Sequence, residues 1–247
     1  MEQKAAGRRT LVIIPTYNEA ENIRTVLDIV LGLREAVHIL VIDDGSPDGT
    51  TRIVRDVART GDDRVYLLER PEKLGLGTAY VDGFNYALKH GYEMVCEMDA
   101  DLSHNPLDLS RLIAPVADGR TDISIGSRYI DGVRIINWPL GRLFLSYGAG
   151  IYTRLITRIP LNDVTSGFKC IHSNVLRALK LERIRSNGYS FQIEVNYRAW
   201  KRGFRLLEVP IVFTERSEGN SKMSKAIVHE AMFKVWEFRI RSLFGRL

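Results

Sequence analysis

Met98-Asp99-Ala100-Asp101-Leu102-Ser103-His104 sets two carboxylates two positions apart, directly after an apolar run from Met94 that reads as a buried strand. Carboxylate oxygens suit a hard divalent cation such as Mg²⁺ or Mn²⁺, which keeps some of its waters and is shared with substrate phosphates. The spacing therefore suggests a metal holding a diphosphate. Taken alone, an Asp-x-Asp fits an ordinary turn or helix cap as well, because Asp is a favoured turn former. A second acidic pair in the same setting shifts the reading: Ile39-Leu40-Val41-Ile42 runs straight into Asp43-Asp44-Gly45-Ser46-Pro47-Asp48-Gly49. Ligands of open α/β sheets collect at the carboxyl ends of the strands. Two strands delivering acids to one such edge favour a nucleotide site over two unrelated turns.

The same strand, loop, helix unit recurs on either side. Leu11-Val12-Ile13-Ile14 stops at Pro15, with Asn18 placed to cap a helix that carries Ile23, Val26, Leu27, Val30 and Leu31 at helical spacing. Ile39 to Ile42 is followed by a helix from about Asp48, Val65 to Leu68 by one from about Leu76, and Met94 to Met98 by one after Pro106. Ile123-Ser124-Ile125 is a fifth strand, ending in Gly126-Ser127-Arg128. This alternation argues for a mostly parallel sheet with right-handed crossovers and helices on both faces. Beyond about residue 132 a long helix is expected over Pro139 to Ile159, a short strand over Phe168 to Ile171, a helix over Tyr189 to Lys201 and a strand over Leu206 to Pro210. A last amphipathic helix spans Ser224 to Phe244, its Ile227, Val228, Met232, Val235 and Trp236 ringed by Lys225, Lys234, Arg239 and Arg241.

The 247 residues, 45% hydrophobic and 26% charged, suffice for one large α/β domain. A formal charge of +5 is compatible with nucleic acid, anionic lipid or a phosphorylated substrate and does not choose among them. The basic residues are dispersed among acids without aromatic platforms, which argues against nucleic acid. Cys96 and Cys170 lie in apolar segments with no partner-like spacing and read as reduced core thiols, in keeping with a cytosolic compartment. The polar, basic N-terminus has no apolar core, so no secretory signal is expected. No run of about 18 apolar residues occurs, so no bilayer-spanning helix is expected either.

Together, Pro15-Thr16-Tyr17-Asn18-Glu19, Asp43 to Thr50, Leu74-Gly75-Leu76-Gly77-Thr78-Ala79-Tyr80, Asp99 to His104 and Gly126-Ser127-Arg128-Tyr129 resemble family 2 glycosyltransferases. More narrowly they resemble the dolichol-phosphate (polyprenol-phosphate) mannose synthases. The likeness continues through Trp138-Pro139-x-x-Arg142, Asp163-x-Thr165-Ser166-Gly167-Phe168, Gly188 to Glu194, Glu208-Val209-Pro210-Ile211 and Arg216 to Lys222, covering roughly residues 10 to 223. It implies a GT-A type α/β fold with a Rossmann-like nucleotide-binding half. Residues 1–9 would then be a polar tail, 10–223 the catalytic domain and 224–247 an amphipathic helix suited to a membrane interface.

The resemblance also implies roles. Pro15, Tyr17, Glu19, Ile42 and Asp44 would line the nucleotide pocket, Glu19 and Asp44 accepting hydrogen bonds from base and ribose. Gly75 and Gly77 lack the third glycine of a dinucleotide fingerprint and read as a close-packed helix start. Asp99, Ala100 and Asp101 would hold the donor diphosphate and a Mg²⁺ or Mn²⁺ ion, with Asp101 the main ligand and Ser103, or a water beside it, completing the shell. His104 would orient the loop. Arg128, Arg216 and Lys222 would contact the donor, and Arg142 with Ser146 the acceptor phosphate; Asp101, Arg128 and Arg142 are the catalytic candidates. Glu215 to Lys222 is polar enough to order over a bound donor. The implied reaction is inverting transfer of mannose from GDP-mannose to dolichyl or polyprenyl monophosphate. It would take place at the cytosolic face of a membrane, with the chain peripheral, alone or docked to a small membrane-anchoring subunit. A UDP-sugar donor is the nearest alternative, and a non-catalytic nucleotide-sugar-binding subunit the alternative of another class.

Overall fold

In the computed structural model, residues 9–60, 63–184, 186–215 and 225–244 are described, apart from the side chains of 225–231. Arg216, Lys222, the tail up to residue 8 and the junction at 223–224 lie outside the described residues.

A seven-stranded sheet organises the chain. Its strands are β1 (Thr10–Thr16), β2 (Val37–Asp43), β3 (Val65–Glu69), β4 (Met94–Glu97), β5 (Ile123–Ser127), β7 (Lys169–His172) and β8 (Leu206–Pro210); β6 (Ile135–Ile136) pairs separately with β9 (Phe213–Thr214). The order is β3-β2-β1-β4-β7-β5-β8. The first four strands are parallel, so the acidic loops after β2 and β4 emerge at the same edge, on either side of β1. Only β7 runs the other way, antiparallel to both β4 and β5. This places Cys96 opposite Cys170, both buried thiols, although their sequence spacing gave no hint of proximity.

Strand alternation builds two cores. Leu11, Ile13, Leu40 and Ile42 face one side, and Val12, Ile14, Ile39 and Val41 the other. Helices α1 (Ile23–Leu31), α2 (Thr50–Arg59) and α4 (Leu109–Ala117) cover the second face; α3 (Leu76–Lys89), α6 (Ser173–Ala178) and α7 (Gly188–Lys201) cover the first. Fully burying each such aliphatic side chain contributes about 1.5–3 kcal/mol before entropy. The long α5 (Leu140–Thr157) and the last helix α8 (Lys225–Leu243) lie over the α7 side, where Val235 and Phe238 enter the core. Both also leave large apolar side chains in solvent, among them Leu140, Phe144, Leu155, Phe233, Trp236 and Leu243. Among the described residues no helix is long and apolar enough to cross a membrane.

One local expectation fails. Asn18 does not cap α1: it sits at φ 58°, its N–H donates to Ser46 Oγ at 3.0 Å, and the helix begins at Ile23. Asn tolerates this left-handed conformation better than most residues, so the same side chemistry that suits a cap serves a tight turn between the first two loops.

Candidate functional site

The loop after β2 is braced by Asp43 and offers Asp44. The Asp43 carboxylate accepts from Thr16 Oγ1 (2.8 Å), Ser46 N–H (2.9 Å), Ser46 Oγ (2.6 Å) and Thr51 Oγ1 (2.7 Å), which occupies it structurally. Asp44 is buried against Arg70, whose Nε donates to Oδ1 at 2.6 Å. Arg70 also donates to Thr78 Oγ1 (2.8 Å) and the Gly75 carbonyl (3.2 Å), tying this loop to the start of α3. Sequence reasoning missed Arg70; its one signal is a basic residue directly after strand β3. Nearby, Glu19 is buried and its N–H donates to Thr50 Oγ1 at 2.9 Å, Ile42 is fully buried, and Lys73 sits 4.1 Å over the Tyr17 ring. Pro15 is the one partly exposed residue of β1.

The glycines at the start of α3 are close-packed as expected. Gly75 has φ 100°, and a Cβ there would meet the Asn187 amide at 2.5 Å; at Gly77 it would meet the Ser186 carbonyl at 2.5 Å. Asn187 Oδ1 accepts the Gly77 N–H at 2.8 Å, so the α7 entry loop holds this turn.

Past β4, Asp101 Oδ1 accepts both the N–H (3.0 Å) and the hydroxyl (2.5 Å) of Ser103. Ser103 is buried, and its N–H and hydroxyl shape the Asp101 carboxylate. Ala100 is buried behind the loop, while the Asp99 side chain is 38% exposed, with Oδ2 3.9 Å from His104 Nδ1. His104 stacks on Phe168 (centroids 4.8 Å) and meets Phe213 edge-on, and burial pushes its pKa down to about 4. It is therefore neutral at pH 7 and orients the loop. Beneath lies Tyr80, whose hydroxyl is kept protonated by burial and by the charges of Asp99, Glu97 and Asp101. Among the described residues no cluster of three or more His, Cys, Asp or Glu side chains is placed to hold a metal ion. Two carboxylates on one loop nevertheless match the sparse protein ligation of Mg²⁺-type ions that are completed by substrate phosphates and water.

Under that loop runs a buried polar chain that sequence reading also missed. Gln192 Nε2 donates to Glu97 Oε2 (2.7 Å), Lys169 Nζ to Gln192 Oε1 (2.5 Å) and Asn196 Oδ1 (3.1 Å), and Asn196 Nδ2 to the Val164 carbonyl (3.3 Å). Burial raises the Glu97 pKa and lowers that of Lys169. The chain connects the acidic loop to the segment that fixes Arg128.

Arg128 is buried and clamped by Asp163: Nε to Oδ2 and Nη2 to Oδ1, both at 2.7 Å, with Nη2 also reaching Thr165 Oγ1 at 2.9 Å. Asp163 is itself set by Glu208, which accepts the N–H of Asp163 at 2.8 Å and the N–H and Nδ2 of Asn162 at 2.8 and 2.9 Å. Arg142 pairs with Glu215 and lies 4.3 Å over the Trp138 ring, which also meets Arg128 at 5.5 Å and Phe213 edge-on. Ser146, one turn on from Arg142, accepts from the Tyr129 hydroxyl at 2.9 Å. Arg128, Trp138, Ser146 and Thr165 form the polar end of a cavity of about 280 Å³ that continues between α5 and α8 along Phe144, Leu145, Met232 and Val235.

The sheet thus presents two acid-bearing loops at one edge, and Arg128 lines a largely apolar cavity. The model of the family described as Glycosyl transferase family 2 matches residues 11–180. The chain belongs to glycosyl transferase family 2. It is 47% identical over 239 residues to the polyprenol monophosphomannose synthase of Mycolicibacterium smegmatis, covering 97% of this chain and 90% of that one. It is 44% identical to the undecaprenyl-phosphate mannosyltransferase of Micrococcus luteus over 92% of each chain. Among solved structures, glucosyl-3-phosphoglycerate synthase from Mycobacterium tuberculosis, in complex with Mn²⁺ and UDP-glucose, superposes with a TM-score of 0.67. At 19% identity over 98% of this chain and 79% of that one, this likeness shows the shared fold.

Proposed function

We propose that this family 2 glycosyltransferase transfers mannose from GDP-mannose to a polyprenyl monophosphate, with residues 10–223 as its catalytic domain. The observation that carries the reading is the cavity between α5 and α8, polar at the Arg128–Ser146 end and apolar beyond it, which suits a phosphate joined to an isoprenoid chain. Relatives of 44–47% identity named for polyprenyl-phosphate mannosyl transfer support it.

Pro15, Tyr17, Glu19, Ile42 and Asp44 would receive the nucleoside, with Arg70 holding the Asp44 carboxylate in place. Asp99 and Asp101 would hold a Mg²⁺ or Mn²⁺ ion shared with the donor diphosphate; when bound, such an ion neutralises charge building on the leaving group. Arg128, held rigid by Asp163, adds fixed positive charge at the same junction. Arg216 and Lys222 are assigned to the donor by resemblance alone. Arg142 and Ser146 would hold the acceptor phosphate. That phosphate is already anionic at neutral pH, so the chain needs to align it and balance its charge, and requires no strong base. Neutral His104 accords with this.

Arg142→Lys keeps the charge but loses the planar fork. The expected result is a KM for polyprenyl phosphate raised about tenfold, the size of one charge-assisted hydrogen bond, with the KM for GDP-mannose nearly unchanged. Steady-state kinetics with both substrates checks this; weaker donor binding with a normal lipid response would put Arg142 on the donor side.

The exposed apolar residues of α5 and α8, interspersed with Arg154, Lys234, Arg239 and Arg241, suit a helix pair lying in the headgroup region of an anionic membrane. The chain should float with anionic liposomes, and Phe233→Asp combined with Trp236→Asp should leave it in the aqueous fraction. Equal flotation of both proteins would remove α8 from the membrane contact.

A further inference from the structure

The two arginines beside the cavity are each paired with a carboxylate, but the pairs are built differently. Asp163 is wholly buried, grips Arg128 through two parallel bonds, accepts its backbone N–H as well, and is braced by Glu208. Glu215 meets Arg142 through Nη1, and both side chains remain about a fifth exposed, at 20% and 22%. Glu215 stands just beyond β9, a strand of two residues, where its N–H donates to the Ile136 carbonyl at 3.1 Å. The first pair is enclosed in the fold, and the second is open to solvent.

The second pair also leaves donors over. Among the described residues, Arg142 Nε and Trp138 Nε1 are buried without a hydrogen-bond acceptor, where the guanidinium covers the indole. Buried donors left unsatisfied cost stability, which an incoming acceptor can recover. A phosphate monoester brings three terminal oxygens and close to two negative charges, more than one carboxylate supplies to the same arginine. We infer that Glu215 belongs to the acceptor site as a competing carboxylate, which occupies Arg142 until an incoming phosphate monoester takes its place, and so sets the affinity of the site for that group. This rests on the assignment of Arg142 to the acceptor phosphate.

The consequence has a definite sign. Glu215→Gln removes the competing charge while keeping the size and polarity of the side chain. The KM for a short-chain polyprenyl phosphate should fall about fivefold, the size expected on removing a partly exposed ion pair. Inorganic phosphate, titrated calorimetrically without donor or turnover, should bind the variant more tightly by a similar factor. In an Arg142→Ala background the same substitution should change neither quantity, because the competition acts through Arg142. If Glu215 merely positioned Arg142, Glu215→Gln would weaken both ligands; that result, or equal phosphate binding by the two proteins, including no measurable binding by either, would overturn the inference. The calorimetric arm needs no reaction. A chain that fails to make the lipid product but binds phosphate more tightly as Glu215→Gln would defeat the mannosyltransfer reading and leave the role of Glu215 standing.

Discussion

Asp101→Asn should lower mannosyl transfer by about a thousandfold, corresponding to roughly 4 kcal/mol of lost charge stabilisation where a divalent cation meets the donor diphosphate. Asparagine is the informative substitution, because its amide oxygen still accepts from the Ser103 N–H and hydroxyl that now converge on Asp101 Oδ1. The loop keeps its shape while the carboxylate charge is removed. Asp101→Ala should be at least as inactive and should also lose about 1–2 kcal/mol of stability through those abandoned donors. Chelation of the wild-type protein with EDTA should reproduce the loss, and excess Mn²⁺ should restore the wild type but not the variant. Comparable turnover in either variant or in EDTA would mean that the Asp99–Asp101 loop holds no catalytic metal.

Asp163→Asn should be the most destabilising single polar substitution near the site, by about 3–5 kcal/mol, because it strands the buried Arg128 guanidinium without a counter-charge. The sign with pH follows from the Asp163 carboxyl. Burial alone would raise its pKa, but the charge and hydrogen bonds of Arg128 outweigh that and hold it below the usual carboxylate value. The unfolded chain therefore takes up this proton before the folded one does. The stabilisation is complete above the unfolded value of about 3.9 and is lost as pH falls through the lower folded value. The gap between wild type and Asp163→Asn in urea unfolding should be full at pH 7 and shrink only below about pH 4. A gap that closes already between pH 7 and 5 would show that the pair is not what stabilises Arg128.

Sequence reading recovered the parts of this protein written in short-range patterns. Apolar runs marked the strands that lead into the loops of Asp43, Asp44, Asp99 and Asp101, and helical spacing marked α5 and α7 to within a residue or two and the start of α3, whereas α1 starts four residues later than its expected cap implied. The reversed direction of β7 was not visible, because the run ending in Ile171 has the same pattern whichever way it is laid beside β4 and β5. Strands of two residues, β6 and β9, are too short for any period, and so the link from Thr214 N–H to the Ser103 carbonyl was not visible either. Site residues were legible where a motif names them. Their partners were not: Arg70 meets Asp44 across 26 positions, Asp163 meets Arg128 across 35, and Glu215 meets Arg142 across 73. Such pairs are set by the fold rather than by local propensity. Ser103 shows the converse case, a residue correctly placed at the acidic loop whose hydroxyl is turned to Asp101.

The central claim is the identity of the transferred sugar and its acceptor. Purified protein should be incubated with an equimolar panel of GDP-mannose, UDP-glucose and UDP-galactose, a polyprenyl monophosphate and Mn²⁺, and the lipid product identified by mass spectrometry and by the configuration of its anomeric carbon. The account predicts one lipid product, β-mannosyl phosphate, formed from GDP-mannose with inversion. A lipid product labelled only from a UDP-sugar, or consumption of GDP-mannose with no lipid-linked mannose, would contradict it.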